Sequence, residues 1–235
     1  MIPKIAHFHW DGSGPSMSWL RIVSIASFAK FNPDWEIRLI RSDPSLNDPA
    51  LCYGNKADLS WWLALEAVGG FQVATDIVFR GPVPDAWLDA ELCACTSNGH
   101  DVSRDIYSGC GRVYQFAMMG AAAGHPFMVE AVKESKRLLQ RLTSSPLGYQ
   151  ALGVELLLAV KEHMGPVREL PMSALCYYDD SAVDKLWEVG SPPPLPDEAI
   201  GIHWYGGHIA SAANEFGALP GSGFRITEFA NQVFP

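Results

Sequence analysis

No apolar run in these 235 residues approaches the roughly 18–20 that a membrane-spanning helix needs, so the sequence offers no transmembrane segment. The opening stretch MIPKIAHFHW lacks the apolar core behind a basic region that marks a secretory leader, and the expected location is cytoplasmic. Positive charge is scarce: 17 Lys and Arg stand against 26 Asp and Glu, giving a formal net charge of −9. Such a surface is a poor match for phosphate backbones or anionic lipid, which argues against nucleic-acid binding and leaves room only for a local pocket that takes one nucleotide. Cysteine is scarce too. There are five, an odd number, and the only close pair, Cys93 and Cys95, has neither zinc-knuckle nor redox spacing, so the thiols are read as reduced. The glycine-rich fingerprints G-x-G-x-x-G and G-x-x-x-x-G-K-[ST] are absent, which removes the standard dinucleotide and P-loop readings. There is no internal repeat and no long linker. The one compositional break is SPPPLP at Ser191–Pro196, which proline confines to an extended loop.

What is present is an alternation. Lys4–Trp10 reads as a strand and Ser18–Phe31 as a helix, with apolar residues at helical spacing and an end before Asn32-Pro33. Trp35–Ile40 reads as a strand, and Asn55–Val68 as a helix closed by Gly69-Gly70. Phe71–Phe79, apolar and β-branched, reads as one buried strand, and Val113–Met119 as another. Helices are expected over Pro126–Leu142 and Gln150–His163, and a late strand over Ile200–Tyr205. This order implies a single α/β domain over 1–235, with a mixed, mostly parallel sheet flanked by helices and a nucleotide-sized crevice at the strand ends.

Three stretches carry chemistry in a fixed order: IPKIAHFHW with the later FNPDWEIRLI, then NKADLSWWLALEAVGGFQVATDIVF, then GIHWYGGH. Together with GHPF at Gly124–Phe127 they resemble the glycosyltransferases with a DXD sugar-binding region, family 32 of the glycosyltransferase classification. The resemblance covers most of the chain and is weakest from about Gln140 to Leu195. It implies a GT-A-like fold and a retaining transfer from a nucleotide-diphosphate sugar, with a UDP-sugar the favoured donor. The acceptor would be a glycan, lipid or protein. In that family the D-x-D carboxylates hold Mn²⁺ (or Mg²⁺) across the donor diphosphate, where a hard cation neutralises the leaving group.

The sequence departs from that pattern where the chemistry lies. The D-x-D falls on Ala74-Thr75-Asp76, so only Asp76 remains. The S-D-x-x-R of the preceding helix becomes an element that keeps Asp58 but carries Trp61 at the arginine position, and Gln72 stands where tyrosine is usual. Asp76 and His203 are accordingly the candidates for metal, phosphate or catalytic duty, with His208 behind them. A site without metal, held by histidines and backbone N–H groups, is the other active form. The resemblance assigns His7, Trp10, Asp58, Ala74, Thr75, Trp204 and Gly206 to the nucleotide or sugar; an aromatic ring such as Trp10 can stack on a base. Gly206-Gly207 would let the backbone approach a pyrophosphate.

Each residue also has a plainer reading. Asp76 could pair with Arg80, Asp58 could be a solvated helix-start carboxylate, and His203-Trp204 could pack as core. Asp179-Asp180 could replace the missing carboxylate, Gln115 could touch donor or acceptor, and Met118-Met119 and Trp62 read as core. His7 and His9 alternate on one strand face, which also fits a metal-dependent hydrolase. A relative that keeps the fold and binds without turnover is the main rival, and Ala74 is its support.

Overall fold

The computed structural model describes residues 1–11, 17–42, 51–97, 113–140, 147–175, 178, 182–192 and 194–234, with backbone alone at 96–97 and 113–116. Strand β1 (Ile5–His9) feeds helix α1 (Trp19–Phe31), which returns the chain to β2 (Glu36–Ile40), parallel to β1 with Glu36 opposite Ile5. A parallel pair needs such a crossover. Ser18 caps α1, its Oγ accepting from the Arg21 N–H at 3.4 Å, and the helix stops at Asn32 before Pro33. Helix α2 (Tyr53–Val68) ends on Gly69 at φ 68°, whose N–H bonds Leu65 O at 3.0 Å. Gly70 follows at φ 107°, where a Cβ would lie 2.5 Å from Ile5 O. Only glycine fits this sharp re-entry into the sheet.

Strand β3 (Gly70–Val73) lies parallel to β1. The expected single strand over Phe71–Phe79 is then broken. The chain leaves the sheet at Ala74–Asp76, and β4 (Ile77–Phe79) pairs instead with β8 (Gly201–His203) in a separate two-stranded ribbon. The cause is α1. Its Ser24 and Ser27 hydroxyls accept from Ile77 N and Phe79 N at 3.3 and 3.0 Å, taking the donors a neighbouring strand would use. Asn32 completes the grip: its Oδ1 accepts from Val83 N at 2.9 Å while its Nδ2 donates to Phe28 O at 2.9 Å.

After α3 (Asp85–Leu88) come β5 (Leu92–Ser97) and β6 (Val113–Ala121), then helix α4 (Pro126–Gln140). The helix expected over Gln150–His163 is shorter. Helix α5 is Val154–Ala159, followed by a 3₁₀ turn at Lys161–His163. The residues before it are held as turns: Gly153 is non-helical (φ −96°, ψ −118°), and Asn55 Oδ1 accepts from Leu152 N at 3.2 Å. Strand β7 (Arg168–Leu170) completes a six-stranded sheet of order β2-β1-β3-β6-β5-β7. In it β6 runs antiparallel to β3 and β5, and the other pairings are parallel. Helices α6 (Ile209–Asn214) and α7 (Arg225–Val233) close the chain around Trp187 and Trp204.

One face of the sheet packs Phe8, Phe28, Trp35, Phe71 and Phe79, with edge-on ring contacts at 5.1–5.6 Å between Phe28 and its neighbours. The other buries Trp62, Leu65, Met119 and Phe127 between α2 and α4. Trp62, Met118 and Met119 are fully buried, as core residues should be. His125 of the GHPF stretch accepts from Phe127 N at 3.2 Å, so that motif starts α4. Among the described residues no helix is long and apolar enough to cross a membrane.

Asn32 is 2% exposed and uses both ends of its amide. Asn32→Ala is expected to cost about 1–3 kcal/mol, because it leaves the buried Val83 N–H without its acceptor, while Phe28 O keeps the bond from Asn32 N. Urea unfolding checks this; a loss under about 0.5 kcal/mol would show that α1 does not hold β4 in place.

Candidate functional site

The site lies outside the C-terminal ends of β1 and β3, where the chain turns out of the sheet at Ala74–Asp76 and meets the turn that follows β8. Ligands of α/β sheets bind at such strand ends. Asp76 has 14% of its side chain exposed, and His203 Nε2 lies 3.1 Å from its Oδ1. Gly206 N donates to Oδ2 at 2.6 Å, and Trp204 N donates to the Asp76 carbonyl at 2.9 Å. Burial alone would raise the carboxyl; His203, the Arg21 charge and the Gly206 N–H outweigh it and hold Asp76 well below the usual carboxylate range. Tyr205 sits at φ 48°, the one non-glycine with positive φ among the described residues, and its ring lies 4.0 Å from that of His203. A strained residue at this point is what a built site shows.

Arg21, which the motifs did not single out, joins this cluster from the first turn of α1. Its Nε and Nη2 donate to Glu215 at 2.6 and 3.0 Å, and its Nη1 donates to Thr75 Oγ1 at 2.8 Å. Glu215 also accepts from Ser18 Oγ at 2.6 Å. The guanidinium lies between the Trp10 and Trp204 rings, 5.3 and 5.1 Å from their centroids. It also lies against Gly206, where any Cβ would collide with it. Burial works against its charge, but Glu215 and Asp76 raise its pKa above the ordinary arginine value. Asp76 therefore faces Arg21 and His203 here, whereas Arg80 donates to the carbonyls of Ala199 and Pro196.

A second wall comes from α2 and the turns before α5. Tyr149 lies over Gly54, its ring 3.0 Å from where a Cβ would sit, and its hydroxyl comes 3.1 Å from the same position at Gly207. It thus spans from α2 to the β8 turn. Asp58 is half-buried beside it and has no hydrogen-bond partner among the described residues; its Oδ2 occupies the space a Gly153 side chain would need. Burial pushes its carboxyl up to about 7.

The remaining candidates divide. Trp10 and Thr75 bind into the cluster through Arg21, Trp204 lies beneath it, and Ala74 packs in the apolar core at 9% exposure. Trp61 does not fill the role of an arginine; its indole donates to His7 O at 3.1 Å. His7 and His9 are each 1% exposed. His7 Nε2 donates to Gly69 O at 2.8 Å, and His9 Nε2 lies 2.9 Å from Ser42 Oγ and 3.2 Å from Asp11. Tyr53, its hydroxyl pushed up to about 12 by burial, stands 3.3 Å from His9 Nδ1. His208 caps α6, accepting from Ala210 N at 3.3 Å. Asp179, Asp180 and the Gln115 side chain lie outside the described residues.

The donor set does not fit the divalent cation that the family resemblance implies. Among the described residues no group of three or more His, Cys, Asp or Glu side chains is placed to hold a metal. Both Asp76 oxygens already face N–H donors, with a guanidinium close by.

No protein-family model matches the chain, and no curated protein matches it in sequence. Solved structures match it in fold. A glycosyltransferase involved in the glycosylation of the major capsid of PBCV-1 superposes with a TM-score of 0.52 at 8% identity, over 86% of this chain and 94% of that one. The chain has the mixed α/β fold of GT-A-type glycosyltransferases. The galactosyltransferase LgtC, in complex with donor and acceptor sugar analogs, covers 98% of this chain and 96% of its own at 12% identity. Its TM-score is 0.49, too loose to carry residue correspondences.

Asp58 gives a prediction with a definite sign. Its folded pKa of about 7 lies above the ordinary 3.8, so ionising it weakens the fold progressively between those values and to a constant extent above them. Allowing for partial exposure, Asp58→Asn should be more stable than the native chain by about 1–2 kcal/mol at pH 8 and equal to it at pH 3. Thermal unfolding at the two pH values decides; a variant less stable at pH 8 would mean that the carboxylate is paired.

Proposed function

We propose that the protein is a retaining glycosyltransferase that takes a sugar from a nucleotide-diphosphate donor, with uridine the favoured base. The observation that carries this reading is the placement of Asp76, His203 and the Gly206-Gly207 turn together at the strand ends of a GT-A-type sheet, next to a buried arginine. Trp10 is then positioned to lie along the base, Asp58 to accept from sugar hydroxyls, and the glycine turn to admit the diphosphate. In the transfer, the bond from the anomeric carbon to the phosphate oxygen breaks and the acceptor oxygen bonds the same face of that carbon. The acceptor proton passes to the departing phosphate oxygen. Fixed donors aimed at the leaving group lower the barrier by stabilising its growing charge. The acceptor is a glycan, lipid or protein hydroxyl.

A second reading, a chain that binds a nucleotide sugar without turning it over, is favoured by one observation: Ala74 stands where the resemblance expects a carboxylate. The metal-dependent hydrolase reading has no such support, since the ring nitrogens of His9 and Nε2 of His7 are committed to protein partners.

Purified protein incubated with a panel of UDP-, GDP- and ADP-sugars should release free nucleotide from one uridine donor. Asp76→Asn should lower that rate about a hundredfold, because it removes the carboxylate that orients His203 and the Gly206 turn. Binding of a donor with no release of nucleotide would select the second reading; no binding of any donor would contradict both.

A further inference from the structure

The cation beside Asp76 is already part of the chain. Of the five N–H groups on a guanidinium, Arg21 gives three to Glu215 and Thr75, leaving one on each terminal nitrogen among the described bonds. Nη2 lies against Gly206, in the turn that also brings its N–H to Asp76. The planar group is locked between Trp10 and Trp204 and by two-point contact with Glu215, so it needs no reordering when a ligand arrives. A hard divalent cation would need about six oxygen ligands. Among the described residues it would find Asp76 already satisfied by His203 and Gly206, Glu215 already paired with Arg21, an alanine at position 74, and a positive charge close by. The substitutions are consistent with one another. The resemblance expects an arginine at Trp61 on α2, and this chain carries Arg21 on α1 beside Asp76.

We infer that Arg21, with the Gly207 backbone beside it, receives the diphosphate of the donor directly, and that this chain binds its nucleotide without a divalent metal. The inference rests on the donor reading above and is separable from it. A forked guanidinium matches two phosphate oxygens, which is the recognition that arginine supplies and a point charge does not.

Two measurements on the full chain decide it. Mn²⁺ alone is titrated into the native protein and followed by the electron paramagnetic resonance of free Mn²⁺. In parallel, UDP binding is measured by calorimetry in EDTA and again in Mn²⁺. The expected result is no stoichiometric Mn²⁺ site and a UDP affinity that changes less than twofold between the two buffers. Arg21→Lys, which keeps the charge and loses the fork, should weaken UDP at least tenfold. Arg21→Met with Glu215→Leu replaces the buried pair by apolar groups so that no lone charge is left, and it should fold and lose UDP to the same degree. UDP binding that requires Mn²⁺, or one bound Mn²⁺ that Asp76→Asn removes, would overturn the inference and leave the donor reading standing. Unchanged UDP affinity in both Arg21 variants would overturn the role of Arg21. No UDP binding in either buffer would remove the inference and the uridine reading together.

Discussion

The structure turns on one buried ion pair. Arg21 and Glu215 are 194 residues apart in sequence, and their side chains are 14% and 6% exposed. A guanidinium that is largely out of water must be paired with a counter-charge, or the fold cannot hold it. Glu215, Thr75, Trp10 and Trp204 meet that need from four different parts of the chain. In doing so they fix where α1 begins, where the chain leaves β3, and where the turn after β8 lies. Asp76 and His203 take their positions within that frame. Removing one partner would leave a lone buried charge, which is why the arrangement is all-or-none.

Much of the fold was legible because local signals agreed with it. Ser18 begins α1 and Asn32-Pro33 ends it; Gly69-Gly70 ends α2; β1, β2 and β6 follow their apolar patterns. The failures have physical causes. The run Phe71–Phe79 is apolar throughout, but whether it stays in one sheet depends on Ser24 and Ser27, more than 50 residues away, taking the donors of β4. Helical periodicity before α5 is overridden by Asn55 holding Leu152 in a turn. Strand β7 is three residues long and carries no period of its own.

The candidate site was legible by motif and blind to distance. Asp76 and His203 stood out from their order in the chain, and the structure places them 3.1 Å apart. Arg21 left one trace, a basic residue in the first turn of a mostly apolar helix, and Glu215 left none. Tyr149 and Tyr53 were missed because ordinary aromatic residues in turn-rich sequence carry no pattern. The departures at Ala74 and Trp61, seen separately, look like losses. The structure sets beside Asp76 a buried positive charge, Arg21, which comes from a different helix and lies over two tryptophan rings.

The most direct test of this account is a crystal structure of the protein with UDP bound in the presence of EDTA. The account predicts the diphosphate within hydrogen-bond distance of Arg21 and the Gly206-Gly207 turn, with the base beside Trp10. A diphosphate bound elsewhere on the molecule, or held away from Arg21, would contradict it.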